Sequence, residues 1–171
     1  MSKIAIHWHR RDLRLFDNAG LSQALQGDHP VLPLFIFDAD ILDDLKDEKD
    51  ARVAFLHEEI NRLREELAKH GSSMLVRYGK PIEVWKEVLD EYEIAAVYTN
   101  RDYEPYAEQR DGEVADLLKK ENIPFHTFKD HVIFEKKEVV KNDGDPYVVF
   151  TPYSRRWMDT LLAEKVETET E

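Results

Sequence analysis

The stretch Val31-Leu32-Pro33-Leu34-Phe35-Ile36-Phe37 limits the folds open to this chain more than any other. It is apolar throughout and ends at Asp38. A strand with one wet face alternates apolar and polar residues. A continuous run fits a strand buried on both faces, as in a parallel sheet covered by helices. Pro33 is the discordant residue, because proline favours sheet edges and strand starts. Further strand-like runs lie at residues 4–9, 73–78, 95–99 and 124–128. Between them the period turns helical. Residues 17–26 can be capped by Asp17 or Asn18 and put Leu21, Ala24 and Leu25 on one face. Residues 51–70 carry Val53, Leu56, Ile60, Leu63 and Leu67 at helical spacing, and Gly71 ends the helix. Residues 81–92 open on Pro81 and turn Ile82, Trp85, Val88 and Leu89 inward, and residues 107–120 form the next helix. Residues 38–50 are acidic and irregular, a surface loop or short helical turn. The alternation predicts an α/β, Rossmann-like doubly wound sheet of about five parallel strands with helices on both faces.

After residue 128 the alternation stops. Val132-Ile133-Phe134 and Tyr147-Val148-Val149-Phe150 read as short extended pieces around a turn at Asn142-Asp143-Gly144-Asp145. A last helix begins at Thr151 or Pro152 and carries Tyr153, Trp157 and Leu161. Tyr147, Phe150, Tyr153 and Trp157 form either a satellite core, the preferred reading, or a face toward a further domain. Residues 1–165 are expected to form one domain, followed by a frayed acidic tail at 166–171.

Composition excludes several kinds of chemistry. There is no cysteine, so disulfides, thiolate metal sites and cysteine nucleophiles are ruled out. With 42% hydrophobic and 35% charged residues, no apolar run reaches the length of a membrane span. No secretory signal pattern precedes the first strand, and the expected address is cytoplasmic. A net charge of −12 argues against DNA binding by this chain alone, although Arg10, Arg11 and Arg14 make a local basic patch. The glycine-rich dinucleotide loop, the phosphate loop and the nucleophile elbow are all missing from the sequence. His7 and His9 lie two apart on a strand with no supporting carboxylate spacing, which favours packing over a metal.

What remains is a ring of groups at the strand ends. Arg10 and Arg11 follow the first strand, Phe35 and Asp38 close the second, and Arg52 opens the long helix. Asn100, Arg101, Asp102 and Glu104 follow the fourth. In a doubly wound sheet whose order reverses between strands one and four, these ends meet in one crevice. Arginine stacks on rings or grips anions, carboxylates accept from ring N–H or ribityl hydroxyls, and Phe35 supplies an apolar wall. The set suits a flat heterocycle with polar edges. Each residue also has a plain structural role open to it. Arg11 with Asp12, or Arg10 with Asp102, can form ion pairs, and Arg52 can be an exposed first-turn charge.

Trp8-His9-Arg10-Arg11-Asp12-Leu13-Arg14-Leu15, with Asp17-Asn18, resembles W-x-R-x-D-L-R-x-x-D-N, the opening signature of the photolyase/cryptochrome family. Residues 34–38 resemble its second strand. Asn100-Arg101-Asp102-Tyr103-Glu104-Pro105-Tyr106 with Arg110-Asp111 resembles its N-x-D-x-E-P-Y…R-D loop. Tyr147-Val148-Val149-Phe150-Thr151-Pro152-Tyr153 with Trp157 resembles its closing Y-x-V-F-T-P-F…W. These blocks run in order over nearly the whole chain.

The resemblance implies an N-terminal α/β domain that holds a light-harvesting antenna chromophore. A larger helical domain then holds FAD, grips DNA and splits pyrimidine dimers with light. These residues are expected to be a fragment without that FAD domain, inactive alone. The expected partners are that helical domain and, through the full-length protein, UV-damaged DNA, with no membrane. In the 8-hydroxy-5-deazaflavin and FMN classes, the roles fall on Arg10 or Arg11, Phe35, Arg52, Asp102 and Glu104. The folate class places a glutamate where this chain has Ala107, which disfavours methenyltetrahydrofolate. Some members bind no antenna. The alternatives are the same domain of a cryptochrome-type blue-light receptor and a stand-alone α/β nucleotide-binding protein.

Overall fold

A computed structural model describes residues 3–43, 45 and 50–163. The expected tail at 166–171 and residues 44 and 46–49 of the acidic stretch lie outside the described residues. The chain divides into two compact units, residues up to Asp130 and residues from His131.

The first unit runs β1 (Ile4–His9), α1 (Ala19–Leu25), β2 (Val31–Asp38), α2 (Ala39–Leu42), α3 (Ala51–Lys69), β3 (Leu75–Gly79), α4 (Pro81–Glu91), β4 (Ile94–Asn100), α5 (Pro105–Lys120) and β5 (Phe125–Phe128). The five strands form one sheet in the order β3-β2-β1-β4-β5. Every neighbouring pair is parallel. This is the doubly wound α/β sheet, and its order reverses between β1 and β4.

Side chains alternate across the pleat. On one face Ile6, Trp8, Leu34, Ile36 and Val97 pack on Val84, Trp85 and Val88 of α4 and Val114 and Leu118 of α5. On the other, Phe35 packs on Ile60, Leu63 and Leu67 of α3. Trp8 and Trp85 meet edge to face at 5.5 Å. Both rings are almost fully buried. A ring of that kind removes about 150–250 Å² from water, a gross gain of roughly 4–6 kcal/mol.

Local signals explain most boundaries. The Asn18 side chain caps α1 by accepting from the Leu21 N–H. Gly71, at φ 71°, ends α3: its N–H donates to the Ala68 carbonyl and the Ser72 N–H to the Leu67 carbonyl. Pro33 sits inside β2 opposite His7 of β1. The Ala5 N–H donates to the Pro30 carbonyl. In a parallel ladder this turns residues 30, 32 and 34 toward β1 and residue 33 toward β3. Pairing with β3 begins only at Leu34. The missing N–H of Pro33 therefore points where no partner strand has started.

Two details depart from the sequence reading. Leu25 does not share the buried face of α1 but is 65% exposed, because the helix stops there and buries Gly20, Leu21 and Ala24 instead. Asn100 is the last residue of β4 and not a loop residue.

In the second unit, residues 132–134 and 147–149 form no strand among the described residues. A short extended segment without a neighbour has no ladder to satisfy its backbone. Phe150 instead opens α6 (Phe150–Ala163). The turn is present: the Lys141 N–H donates to the Asp145 carbonyl at 3.0 Å and Gly144 takes φ 87°. Trp157 packs edge-on against Phe134 at 5.5 Å, and Tyr147 meets Tyr153 at 6.2 Å.

Candidate functional site

Beneath the switch point lies a closed polar network. Arg10 N–H donates to Asp12 at 2.8 Å, and the Asn18 amide donates to the same carboxylate at 3.0 Å. Asn100, at the tip of β4, donates to Asp12 at 2.7 Å and to Asn18 at 2.9 Å, and accepts from the Gly20 N–H at 2.8 Å. Asp12, Asn18 and Asn100 are all buried. The network locks the β1 loop, the start of α1 and the end of β4 together.

His7 and His9 stand beside it on the same face of β1, their rings 4.2 Å apart. Neither His7 nitrogen has a hydrogen-bond partner, and the same holds for His9 Nε2. Burial holds the His7 ring down to about 3, and burial likewise lowers His9, so both are neutral near pH 7. For Asp12, burial acts upward. His9 and His7 when protonated, together with the Arg10 N–H and the Asn18 amide, act downward and keep the carboxyl low.

Above the network, at the carboxyl edge of the sheet, opens a cavity of about 630 Å³. Arg10, Arg11, Phe35, Asp38, Arg52, Asp102 and Glu104 all line it. Strand ends β1 and β2, the first turn of α3 and the β4–α5 loop bring them there. Of the ring drawn from the sequence, Asn100 is drawn off into the network below, and Arg101 is not among the residues that line the cavity.

The ion pairs differ from those read in the sequence. Arg10 does not pair with Asp102; its guanidinium binds Asp111 and the Asn100 carbonyl, and it is nearly buried. Arg11 does not pair with Asp12, whose carboxylate is taken by the network. It reaches Asp102 at 3.3 Å and Glu104 at 2.6 Å while staying 56% exposed. The bond to Glu104, opposed by modest burial and aided by Asp102, raises the Arg11 guanidinium. Half-exposed pairs of this kind contribute little to stability, so a ligand can displace the arginine at small cost. Arg52 is an exposed first-turn charge, held by Asp50 at 2.6 Å.

Several lining residues carry chemistry that the sequence-derived set omitted. Tyr106 O–H donates to Asp38 at 2.7 Å. Burial, then that bond, push its hydroxyl well above the ordinary phenol range. Arg110, one turn further along α5, lies 3.7 Å from the same carboxylate. Trp8, Phe37, Phe55 and Ala107 complete much of the apolar wall. An arginine and a tyrosine at (i, i+4) on a helix share a face, which was the available signal. Among the described residues, no cluster of three or more His, Asp or Glu could hold a metal ion.

The fold and the crevice define a doubly wound α/β protein with a cavity at its topological switch point that has aromatic walls and is rimmed by paired arginines and carboxylates. Residues 5–170 match DNA photolyase, and the chain belongs to that family. It is 34% identical over 171 residues to a deoxyribodipyrimidine photo-lyase of Synechococcus sp., covering 100% of this chain and 35% of the relative. A deoxyribodipyrimidine photo-lyase of Halobacterium salinarum is 36% identical over 163 residues, 90% of this chain and 33% of the relative. The crystal structure of a bacterial class III photolyase from Agrobacterium tumefaciens superposes with a TM-score of 0.79 at 26% identity, covering 91% of this chain and 31% of that one. A Synechocystis cryptochrome shares the fold, with a TM-score of 0.81 at 19% identity, covering 92% of this chain and 34% of that one. The chain thus spans about a third of the length of these relatives. No helix among the described residues is long and apolar enough to cross a membrane.

Proposed function

We propose that this domain holds a planar light-absorbing heterocycle of the FMN or 8-hydroxy-5-deazaflavin kind in the switch-point cavity. Together with a FAD-binding helical domain, it serves light-driven repair of pyrimidine dimers in DNA. The observation that carries the reading is the convergence of Arg10, Arg11, Phe35, Asp38, Arg52, Asp102 and Glu104 on one cavity of about 630 Å³. That volume is within the usual range for small-molecule sites, roughly 300–1,000 Å³. Apolar walls at Phe35 and Phe55 suit the ring faces. Glu104 and Asp102 offer acceptors to ring N–H or ribityl hydroxyls, while Arg11 and Arg52 offer cations to a phosphate or phenolate. When bound, such a group supplies light absorption. The residues themselves bind it, orient it and exclude water.

Ala107 is buried in the cavity wall and has no carboxylate to offer a folate. The names of the relatives at 34% and 36% identity support repair as the activity of the full-length protein. Titration of the purified chain with FMN, 8-hydroxy-5-deazaflavin and methenyltetrahydrofolate, followed by fluorescence, tests the site. Saturable binding of one of the first two, weakened in Arg52→Ala and Glu104→Ala, is the expected result. Affinity unchanged in both variants, or no binding at all, would overturn the assignment.

A further inference from the structure

We propose that Arg110 keeps a chromophore in this cavity luminescent by silencing the two oxidisable rings of its wall. The inference rests on the chromophore reading above.

Among the described lining residues, Trp8 and Tyr106 are the ones that surrender an electron readily; the phenylalanines do not, and none is a methionine or cysteine. Such a ring close behind the cavity surface would give one electron to an excited heterocycle held there, and the excitation would be lost. The indole is then left as a radical cation. Tyr106 in addition passes its phenolic proton to the carboxylate it already bonds, Asp38, at 2.7 Å. An antenna with these two side chains in its wall needs something to oppose both losses.

Arg110 is placed to oppose them. Its guanidinium carbon lies 5.1 Å from the Trp8 ring centre and 5.7 Å from that of Tyr106. A fixed positive charge at that range disfavours a second positive charge on the indole. Arg10 adds to this, also 5.1 Å from the Trp8 ring. Arg110 also lies 3.7 Å from Asp38, the carboxylate that would take the Tyr106 proton, and that ion pair lasts only while Tyr106 keeps it. Asp38 and Asp111 balance the two arginines in formal charge, but the cations are the groups set over the rings. With its side chain 10% exposed, Arg110 is little screened by water.

The test is the fluorescence lifetime of FMN or 8-hydroxy-5-deazaflavin, whichever binds, at saturation on the 171-residue chain. Arg110→Gln is expected to shorten the lifetime several-fold, and Arg110→Lys to keep it near that of the parent. Adding Trp8→Phe and Tyr106→Phe to Arg110→Gln is expected to restore it. Should the glutamine variant not fold, Arg110→Met keeps the aliphatic stem and repeats the comparison. An unchanged lifetime in the neutral variant overturns the proposal. So does equal shortening in Arg110→Lys, or shortening that survives removal of both rings. Failure of both chromophores to bind the parent chain overturns the site reading and this inference with it.

Discussion

The side-chain amide of Asn100 donates to the Asp12 carboxylate at 2.7 Å, joining positions 88 residues apart. It fastens the end of β4 to the loop after β1, the two elements that flank the switch point. Asn100→Ala would strand the Gly20 N–H and remove one donor each from Asp12 and Asn18, all buried. Each orphaned group costs about 1–3 kcal/mol, so a loss of roughly 2–4 kcal/mol in urea unfolding is expected. A loss below about 1 kcal/mol would mean that the network is replaceable by water.

Gly20→Ala sets a gain against a clash. Alanine is favoured over glycine in a helix by about 1 kcal/mol. A Cβ at this position would sit 2.8 Å from Asn100 Oδ1 and 3.0 Å from His7 Nε2, both on buried side chains. Overpacking of that kind costs about 1–3 kcal/mol. Net destabilisation is expected, read as a lowered melting temperature. A stabilised variant would contradict the tight seat of α1 on β1 and β4.

Acid should destabilise the fold in a defined window. The unfolded chain protonates His7 and His9 as pH falls through about 6.5, while in the folded chain His7 resists until about 3 and His9 is also lowered. Unfolding therefore takes up protons, and stability falls with falling pH by up to about 1.4 kcal/mol per unit for each ring. Above pH 7 these rings contribute no slope. Asp12, held low in the fold, adds a loss of the same sign below its ordinary range near 3.8. Stability measured from pH 8 to pH 5 checks this. A flat profile would mean that the two rings find partners in solution.

Trp157 anchors α6 through its contact with Phe134. Trp157→Ala is expected to cost less than the roughly 3–5 kcal/mol of a fully buried ring, since the side chain is half-buried. Hydrogen exchange should quicken across residues 150–163. Unchanged protection would show that α6 is held by other contacts.

Much of the architecture was legible in the residues. The buried apolar run of β2 announced a parallel sheet, and the strand-end rule gathered Arg10, Phe35, Arg52 and Glu104 at one edge. Pairing was not legible, because it depends on rotamers reaching across the crevice: Arg10 went to Asp111 and Arg11 to Glu104. Arg110 was passed over because, read along α5, it is one more helix charge. Only the height of α5 beside β1 brings it over Trp8. The depth of His7 was hidden too, since a histidine in a strand gives no sign of which helix will cover it. Residues 132–134 and 147–149 carry strand-forming side chains, but strand formation needs a neighbour that sequence alone does not supply.

The Asp12–Asn18–Asn100 clamp bears on how the family signature itself is read. Asp12 and Asn18 belong to the opening block and Asn100 begins the later one, yet all three are spent below the cavity, on each other and on the backbone. A match to those letters certifies the shape of a socket and is blind to the pigment. On the function proposed above, the choice of pigment would fall instead to rim positions outside those blocks, Arg52 and Ala107.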